Sequence, residues 1–448
     1  MTTFERPLVE LVGVVALLPV TLAVGYALVL LAMSRYEPSD PAGGPMAPVR
    51  ARAKRVVFVL PCPDEETVLE VSLRRLLGLD EPRVSVLVVT AGPDDQSAEV
   101  VNAVRDPRVH LFRRRGAGVG QGRSEALNAA VAHVRAGGVT EVTDPADVVV
   151  CVLGADERLD SHALAAVLPL FDDPAVGAVQ IGARVEDRDH NLLTRMQDAE
   201  MALHAEVFQR GRQHVGGNGL GCEAQFMRLS ALSSVGDEPW SSGPCPELNL
   251  GLRLMASGWR TEFAGDCAVY RTAPLGLREW LRRRSRRTQG VVQCWQLASE
   301  VMASVPGVVT RLRVLLRLSS PVFVLIGSLV GAAFLLWSAA LAIAVAVGAV
   351  TPSWWWLSAY LLVFVPTLLF GHAYHEASGE RPGRLARWRS VLVMHLYIEY
   401  LAWWGVAVWW VLLRKLTGRR AHPRPIRAAS SARHRKHRRG AWARLAAP

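Results

Sequence analysis

Apolar positions follow two different patterns along this chain. Toward the ends they form long uninterrupted runs: Leu11–Met33 carries no charge over 23 residues, and Pro321–Val350, Trp354–His372 and Val391–Leu413 follow near the other end. A helix of roughly 20 apolar residues is enough to cross a bilayer, so each run is a candidate span. The first lacks a Lys/Arg-rich start and a small-residue cleavage site, which reads as a retained anchor. Between the runs the pattern shortens. Val56–Leu60, Val84–Val89, Val148–Leu153 and Gly177–Val185 are short apolar, largely β-branched stretches, the profile of strands buried on both faces. Glu65–Leu79 and Ser124–Val134 repeat apolar residues at helical spacing. Strands alternating with helices predict right-handed crossovers and a largely parallel sheet, with ligands held beyond the carboxyl ends of the strands.

These patterns divide the chain into an N-terminal transmembrane anchor (1–35), a linker rich in proline and glycine (36–54), an α/β block (55–296), an amphipathic interface segment (297–320), a C-terminal transmembrane region (321–413) and a basic tail (414–448). Charge then orients the block. Arg50, Arg52, Lys54 and Arg55 follow the first run, and Arg381, Arg384, Arg387 and Arg389 separate the last two, so both flanks read as cytoplasmic. Trp354, Trp355, Trp356, Trp403, Trp404, Trp409 and Trp410 crowd the ends of the last two runs, as interfacial aromatics do. The tail holds twelve Lys/Arg and no acid, against a net charge of +11 for the whole chain. It is cytoplasmic if Pro321–Val350 is two short segments, or if Val391–Leu413, with Glu399 inside it, does not fully cross. The expected location is the plasma membrane, multi-pass, with the α/β block in the cytoplasm. Six cysteines show no metal-ligand spacing and behave as small apolar residues in a reducing compartment. No folded reader motif accompanies the positive charge, which argues against specific nucleic-acid binding. Membrane lipid, met by the basic helix and the tail, is the simpler partner.

The chemistry sits where strands end. Pro61-Cys-Pro-Asp-Glu-Glu66, Thr90-Ala-Gly-Pro-Asp-Asp95 and Gly154-Ala-Asp-Glu157 each follow a strand with acidic residues, and Glu247 opens an apolar helix. Helix capping explains any one such turn, and the helix dipole favours Glu247 where it stands. Three acidic turns at one sheet edge favour a nucleotide and metal site. Six arginines (278, 282, 283, 284, 286 and 287) fall within ten positions downstream, suited to phosphates or to anionic lipid.

In order and spacing, these pieces resemble membrane-bound family 2 glycosyltransferases with a GT-A fold, the cellulose-, hyaluronan- and chitin-synthase-like group. The carriers are Pro61-Cys-Pro-Asp-Glu-Glu66, Gly122-Arg-Ser-Glu-Ala-Leu-Asn128, Gly154-Ala-Asp156, Gln225-Phe-Met-Arg-Leu-Ser-Ala-Leu232, Cys245-Pro-Glu-Leu-Asn-Leu-Gly-Leu-Arg-Leu254 and Arg283-Arg-Ser-Arg-Arg287. The resemblance implies a GT-A-like α/β domain inserted between transmembrane helices. It also implies sugar transfer, with inversion, from a nucleotide sugar to a lipid-linked or polysaccharide acceptor. By the same token Pro61, Asp64, Glu65, Arg123 and Asp156 face the donor, and Asp156 holds Mg²⁺ or Mn²⁺. Glu247 is then the base, and Arg284 and Arg286 meet the diphosphate or the acceptor. The chain departs from the family pattern at several of these points. Thr90-Ala91 replaces an aspartate pair, Gly154 the first metal aspartate, Pro246 an acid before the base, and Arg283 and Arg287 a glutamine and an acceptor-stacking tryptophan. A catalytically silent relative, acting as scaffold or partner subunit in envelope polysaccharide assembly, is therefore the alternative reading; a lipid-regulated anchor working through its tail is a third.

Overall fold

Strand and helix alternate from the first buried run onward in the computed structural model of this chain. Residues 1–20, 22–23, 37–53, 63–65, 80, 82, 91–96, 115–121, 143, 214–219, 222–223, 244, 306, 320–325, 330–335, 337–338, 341, 350–353, 381–382 and 418–448 lie outside the described residues. The strands are β1 (Arg55–Cys62), β2 (Val84–Thr90), β3 (Val109–Arg113), β4 (Val148–Val152), β5 (Arg158–Leu159), β6 (Val176–Val185), β7 (Gln225–Arg228) and β8 (Arg260–Arg271). The helices used below are α1 (Glu66–Leu77), α2 (Ser97–Val104), α3 (Arg123–Arg135), α4 (Leu192–Leu203), α5 (Pro246–Ala256), α6 (Leu277–Cys294), α7 (Ala298–Ser304), α8 (Val308–Leu318), α9 (Trp354–Ala377) and α10 (Arg384–Leu416).

All eight strands form one sheet, in the order β3-β2-β1-β4-β7-β6-β8-β5. Its first half is parallel, with β1 between β2 and β4 and β3 outside β2. The expectation of a largely parallel sheet holds only there and for β6 with β8. Strand β7 runs antiparallel to both β4 and β6, and β5 antiparallel to β8. Periodicity missed β7 because it is four residues long and ends on Arg228. That arginine is 3% exposed and donates to the carbonyls of Val176, Ala146, Phe171 and Asp173 at 2.6–3.0 Å, so its charge is buried inside a complete set of acceptors.

The continuous apolar runs arise because both sheet faces are covered. Phe58, Leu60, Val86, Val149, Cys151 and Phe226 pack with Leu69 and Leu73 of α1 on one face. Val57, Val59, Leu87, Val150 and Met227 pack with Leu127 and Val131 of α3 and Leu250 and Leu254 of α5 on the other. Period-2 alternation therefore sorts side chains between two cores, not between core and water.

Helix α4 joins this block to the C-terminal helices. It starts with a reciprocal cap: Thr194 N–H donates to Asn191 Oδ1 at 2.9 Å and Asn191 N–H to Thr194 Oγ1 at 3.1 Å. Its Ala199, Ala202 and Leu203 pack with Leu30 and Leu31 of the helical stretch 24–34, with Tyr374 of α9 and with Val393 and Met394 of α10. Asp198 of α4 is 0% exposed. It accepts both arms of Arg184 at 2.9 Å, the Val185 amide at 3.0 Å and the Tyr374 hydroxyl at 3.0 Å. Burial alone would raise the Asp198 carboxyl, but Arg184 and these donors hold it below the usual carboxylate range.

Among the described residues no helix is long and apolar enough to cross a membrane. Most of Leu11–Met33 and much of Pro321–Val350 lie outside them, as does the tail beyond Thr417. The runs Trp354–His372 and Val391–Leu413 lie within α9 and α10.

Asp198→Asn should destabilise the fold by about 3–5 kcal/mol, because it leaves the Arg184 guanidinium buried without its counter-charge. A carboxyl held low in the native state stabilises fully above its unfolded value, near pH 4, and that stability is lost as pH falls through the lower native value. In acid titrations of unfolding, the wild type should therefore lose this contribution below about pH 4, and Asp198→Asn should show a shallower acid limb.

Candidate active site

The carboxyl ends of β1, β2 and β4 lie side by side, through the register pairs Pro61 with Val89, Cys62 with Thr90 and Val59 with Val152. Pro61 is the last residue but one of β1 and is buried there. Asp64, Glu65, Asp94 and Asp95 lie outside the described residues. Arg123 is the first residue of α3 and is exposed, following Gly122 at φ 143°.

The turn after β4 carries the most distinctive geometry. Leu153 N–H still donates to Val59 O at 3.1 Å, and Glu157 N–H then closes a turn onto Gly154 O at 3.0 Å. The Glu157 side chain folds back, and its Oε2 accepts the Gly154 amide at 2.8 Å. A Cβ at Gly154 would stand 3.1 Å from the Glu157 carboxyl carbon and 3.2 Å from Asp156 Oδ1. The two carboxylates therefore converge on the space a side chain at 154 would take. Asp156 Oδ2 accepts from Thr272 Oγ1 at 3.1 Å, which fixes its orientation from β8's end. Glu157 is 6% exposed. Sequence reasoning named Asp156 and passed over Glu157 and Thr272; the acid next to Asp156 was visible, but not its reversal toward Gly154. The donor set suits a hard divalent cation, which uses one or two carboxylates and completes its shell with phosphate oxygens and water. Among the described residues no group of three or more His, Cys, Asp or Glu could hold a metal ion.

Glu247 is the second residue of α5. Pro246 fits the first helical position, where no N–H bond is needed. The helix is buried on opposite sides, Leu250 and Leu254 on the sheet and Leu248 and Leu252 against α6, α7 and α8. Gly251 lets it approach the Leu220 backbone, whose N would be 3.1 Å from an added Cβ.

Helix α6 reaches the same corner. Gly290 lies over Cys245, the residue just before α5: a Cβ there would be 2.6 Å from Cys245 Cβ and 2.8 Å from its N. Cys245 Sγ donates to Arg287 O at 3.5 Å, and Arg287 Nη2 donates to Gly221 O at 3.3 Å. The structure thus brings Arg287 to the start of the Glu247 helix. Arg284, expected beside Arg286 at the diphosphate or acceptor, is turned toward α4 and α10. Its guanidinium is bound to Glu200 of α4, and to the Tyr400 hydroxyl at 3.1 Å; that hydroxyl also donates to Glu200 at 2.8 Å and accepts from Trp280 Nε1 at 2.7 Å. Arg284 is on the inward face of α6 with Trp280, one turn away, and serves the helix junction. Arg286 is exposed on another face. Its pKa is lowered by partial burial and by repulsion from Arg282 and Arg283, so an arriving anion would relieve it.

Residues 149–374, half of the chain, match the model of Glycosyl transferase family group 2, and residues 57–235 match Glycosyl transferase family 2. The chain belongs to the family 2 glycosyltransferases. A GT-A-like α/β fold is the fold class expected of this family, and the sheet described above is consistent with it. The beta-monoglucosyldiacylglycerol synthase of Synechocystis sp. is 31% identical over 212 residues, covering 46% of this chain and 41% of that protein. The poly-beta-1,6-N-acetyl-D-glucosamine synthase of Staphylococcus aureus is 23% identical over 238 residues, 52% of this chain and 54% of that one. The chain thus spans about half or less of the length of these curated relatives. Among solved structures, a mannosyltransferase from Pyrobaculum calidifontis in complex with GDP-Man and Mn²⁺ overlaps with TM-score 0.49 at 16% identity, covering 91% of this chain and 99% of that one.

Gly290→Ala should force α6 away from Cys245 and destabilise the protein by about 1–3 kcal/mol, read as a lowered unfolding midpoint. Gly276→Ala, with nothing within 4 Å of its added Cβ, is the steric control and should cost about 1 kcal/mol or less, the exchange of the α6 N-cap glycine.

Proposed function

We propose that this family 2 glycosyltransferase transfers a sugar, with inversion, from a nucleotide-diphosphate donor to a lipid-linked or polysaccharide acceptor. The observation that carries this reading is the corner where α5 begins: Glu247 opens a helix clamped between the sheet and the arginine-bearing α6. In the proposed reaction the acceptor oxygen attacks the anomeric carbon from the face opposite the diphosphate. Glu247 takes the hydroxyl proton, and the bond to the diphosphate oxygen breaks with its electron pair leaving on that oxygen. Arg286 and Arg287 offer charge near the corner, Arg123 and Pro61 border the donor side, and Asp64 and Glu65 are donor-facing residues by the family resemblance. Asp156 with Glu157 would hold Mg²⁺ or Mn²⁺, whose role is to offset negative charge on the leaving diphosphate. The names of the two curated relatives, one for a glucosyl lipid and one for a polysaccharide, support these acceptor classes.

Placement in the plasma membrane, with the α/β block cytoplasmic, is part of the same proposal. Leu361, Val365 and Leu369 of α9 are 43–48% exposed at a spacing of four, and Leu385, Trp388, Leu392, Trp410 and Leu413 of α10 are more than half exposed. Apolar stripes of that length suit lipid better than water. The departures at Thr90, Gly154 and Arg287 support a second reading, a silent scaffold or partner subunit in envelope polysaccharide assembly.

Calorimetry with UDP or GDP and Mn²⁺ separates the two. A transferase should bind nucleotide in a metal-dependent way, weakened about tenfold or more by Asp156→Asn and by Glu157→Gln, in line with the loss of a ligating or orienting group. No nucleotide binding in the wild type leaves the scaffold. If binding is present, Glu247→Gln should lower kcat by about 10²–10⁴ while leaving the unfolding midpoint unchanged; unaltered turnover removes Glu247 as the base.

A further inference from the structure

Tyr400 stands where three helices meet, and its hydroxyl is fully used. It accepts from Trp280 Nε1 at 2.7 Å and from Arg284 Nη2 at 3.1 Å, and it donates to Glu200 Oε2 at 2.8 Å. A phenol has one proton and two lone pairs, so no hydrogen-bonding capacity is left over and the arrangement has one geometry. Glu200 also takes the Arg284 guanidinium, and Tyr400 and Trp280 are 2% and 1% exposed. The surrounding Met196, Leu193, Leu281 and Leu396 set how closely α4, α6 and α10 approach. Apolar contacts of that kind do not fix the roll of a helix about its axis; a buried polar node does. Apolar residues would fill this junction at no greater cost, so its polarity serves geometry. Helix α6 has a second hold six residues on, at Gly290 over Cys245. By helix geometry the two holds are about 9 Å apart along α6 and about a third of a turn apart around it. Arg286 and Arg287 lie between them, and Cys245 leads straight into the helix of Glu247.

We propose that Tyr400 and Glu200 are positioning residues for the reaction corner. Through Trp280 and Arg284 they set the roll of α6, which keeps Arg286 and Arg287 turned to the diphosphate and holds Cys245, and with it Glu247, in place. The geometry of the site is thereby set from α10, a helix outside the α/β block. This rests on the transferase reading, because it assigns two residues to that reaction. Without the node α6 pivots on Gly290, and a shift of about 1 Å in a reacting group costs about a hundredfold in rate. An arginine side chain is long enough to follow a bound diphosphate through such a shift. A carboxylate that must meet one hydroxyl proton is not. The loss therefore falls on kcat more than on the KM for the donor.

The test compares three variants of the full chain. Tyr400→Phe keeps the ring, Glu200→Gln keeps an acceptor oxygen, and Leu396→Ala thins the same cluster but leaves the node intact. Turnover is read well below each unfolding midpoint, as nucleotide released from UDP-glucose, UDP-GlcNAc or GDP-mannose in the presence of diacylglycerol. Both node variants should lose about ten- to a hundredfold in kcat, with the donor KM changed by less than about threefold. Leu396→Ala should keep the wild-type kcat even if its midpoint falls further. Hydrogen exchange without donor should show amides 249–252 of α5 opening about three- to tenfold faster in the node variants, the size of one net hydrogen bond. Amides of α1, on the opposite face of the sheet, should not change. An unchanged kcat in folded Tyr400→Phe overturns the proposal, as does an equal loss in Leu396→Ala; if Tyr400→Phe does not fold, Glu200→Gln decides. Unchanged exchange at 249–252 overturns the link from α10 to α5. A wild type that releases no nucleotide sinks the transferase reading, and the exchange measurement alone then judges the link.

Discussion

Two carboxylates on α4, Asp198 and Glu200, hold this molecule together. Asp198 anchors the end of β6 through Arg184 and α9 through Tyr374. Glu200, two residues on, takes Arg284 of α6 and Tyr400 of α10. A buried ion pair contributes little net energy over an apolar equivalent, yet removing one partner costs several kcal/mol. Such pairs therefore specify geometry more than they add stability. Here they fix three helices relative to the sheet from one short segment. Gln197 extends the pattern by donating to Pro274 O at 3.0 Å, just ahead of α6.

The position of Glu247 follows from that arrangement. Helix α6 is pinned near its start by Trp280 and Arg284 and near its end by Gly290 on Cys245. Cys245 directly precedes α5, so the second contact sets where the α5 N-terminus points. The other constraint is the sheet, reached through Leu250 and Leu254. A carboxylate at the second position of a helix held from both sides has little freedom to wander, and small displacements of a reacting group are expensive in rate. The arginines of α6 are correspondingly divided by face, with Arg284 turned to structure while Arg286 stays open to anions.

Much of this was legible in the sequence, and the failures are physically specific. Strands β1, β2, β4 and β6 were found to within two residues because both their faces are buried and the apolar signal is continuous. Strands β3 and β5 escaped because they are short and only partly buried, and β7 and β8 because charged residues within them, Arg228 above all, are satisfied by partners distant in sequence. The family motifs located Asp156 and Glu247 at the ends of elements, which local patterning can do. They could not show what Arg284 meets, since helical spacing gives a face but not what lies opposite it. Its partners Glu200 and Tyr400 are 84 and 116 positions away.

The same reasoning bears on Gly154. Read alone, a glycine in place of a metal aspartate signals lost function. In the fold, glycine leaves room for Glu157 to turn back and hydrogen-bond the 154 amide, beside an Asp156 that Thr272 holds from the other side. An aspartate at 154 would start 3.1 Å from the Glu157 carboxyl carbon, so Glu157 would have to give way by a few tenths of an ångström. Like charges that close also oppose each other's ionisation unless a cation intervenes. Glycine at 154 thus leaves the turn two carboxylates, Asp156 and Glu157, that face the same space.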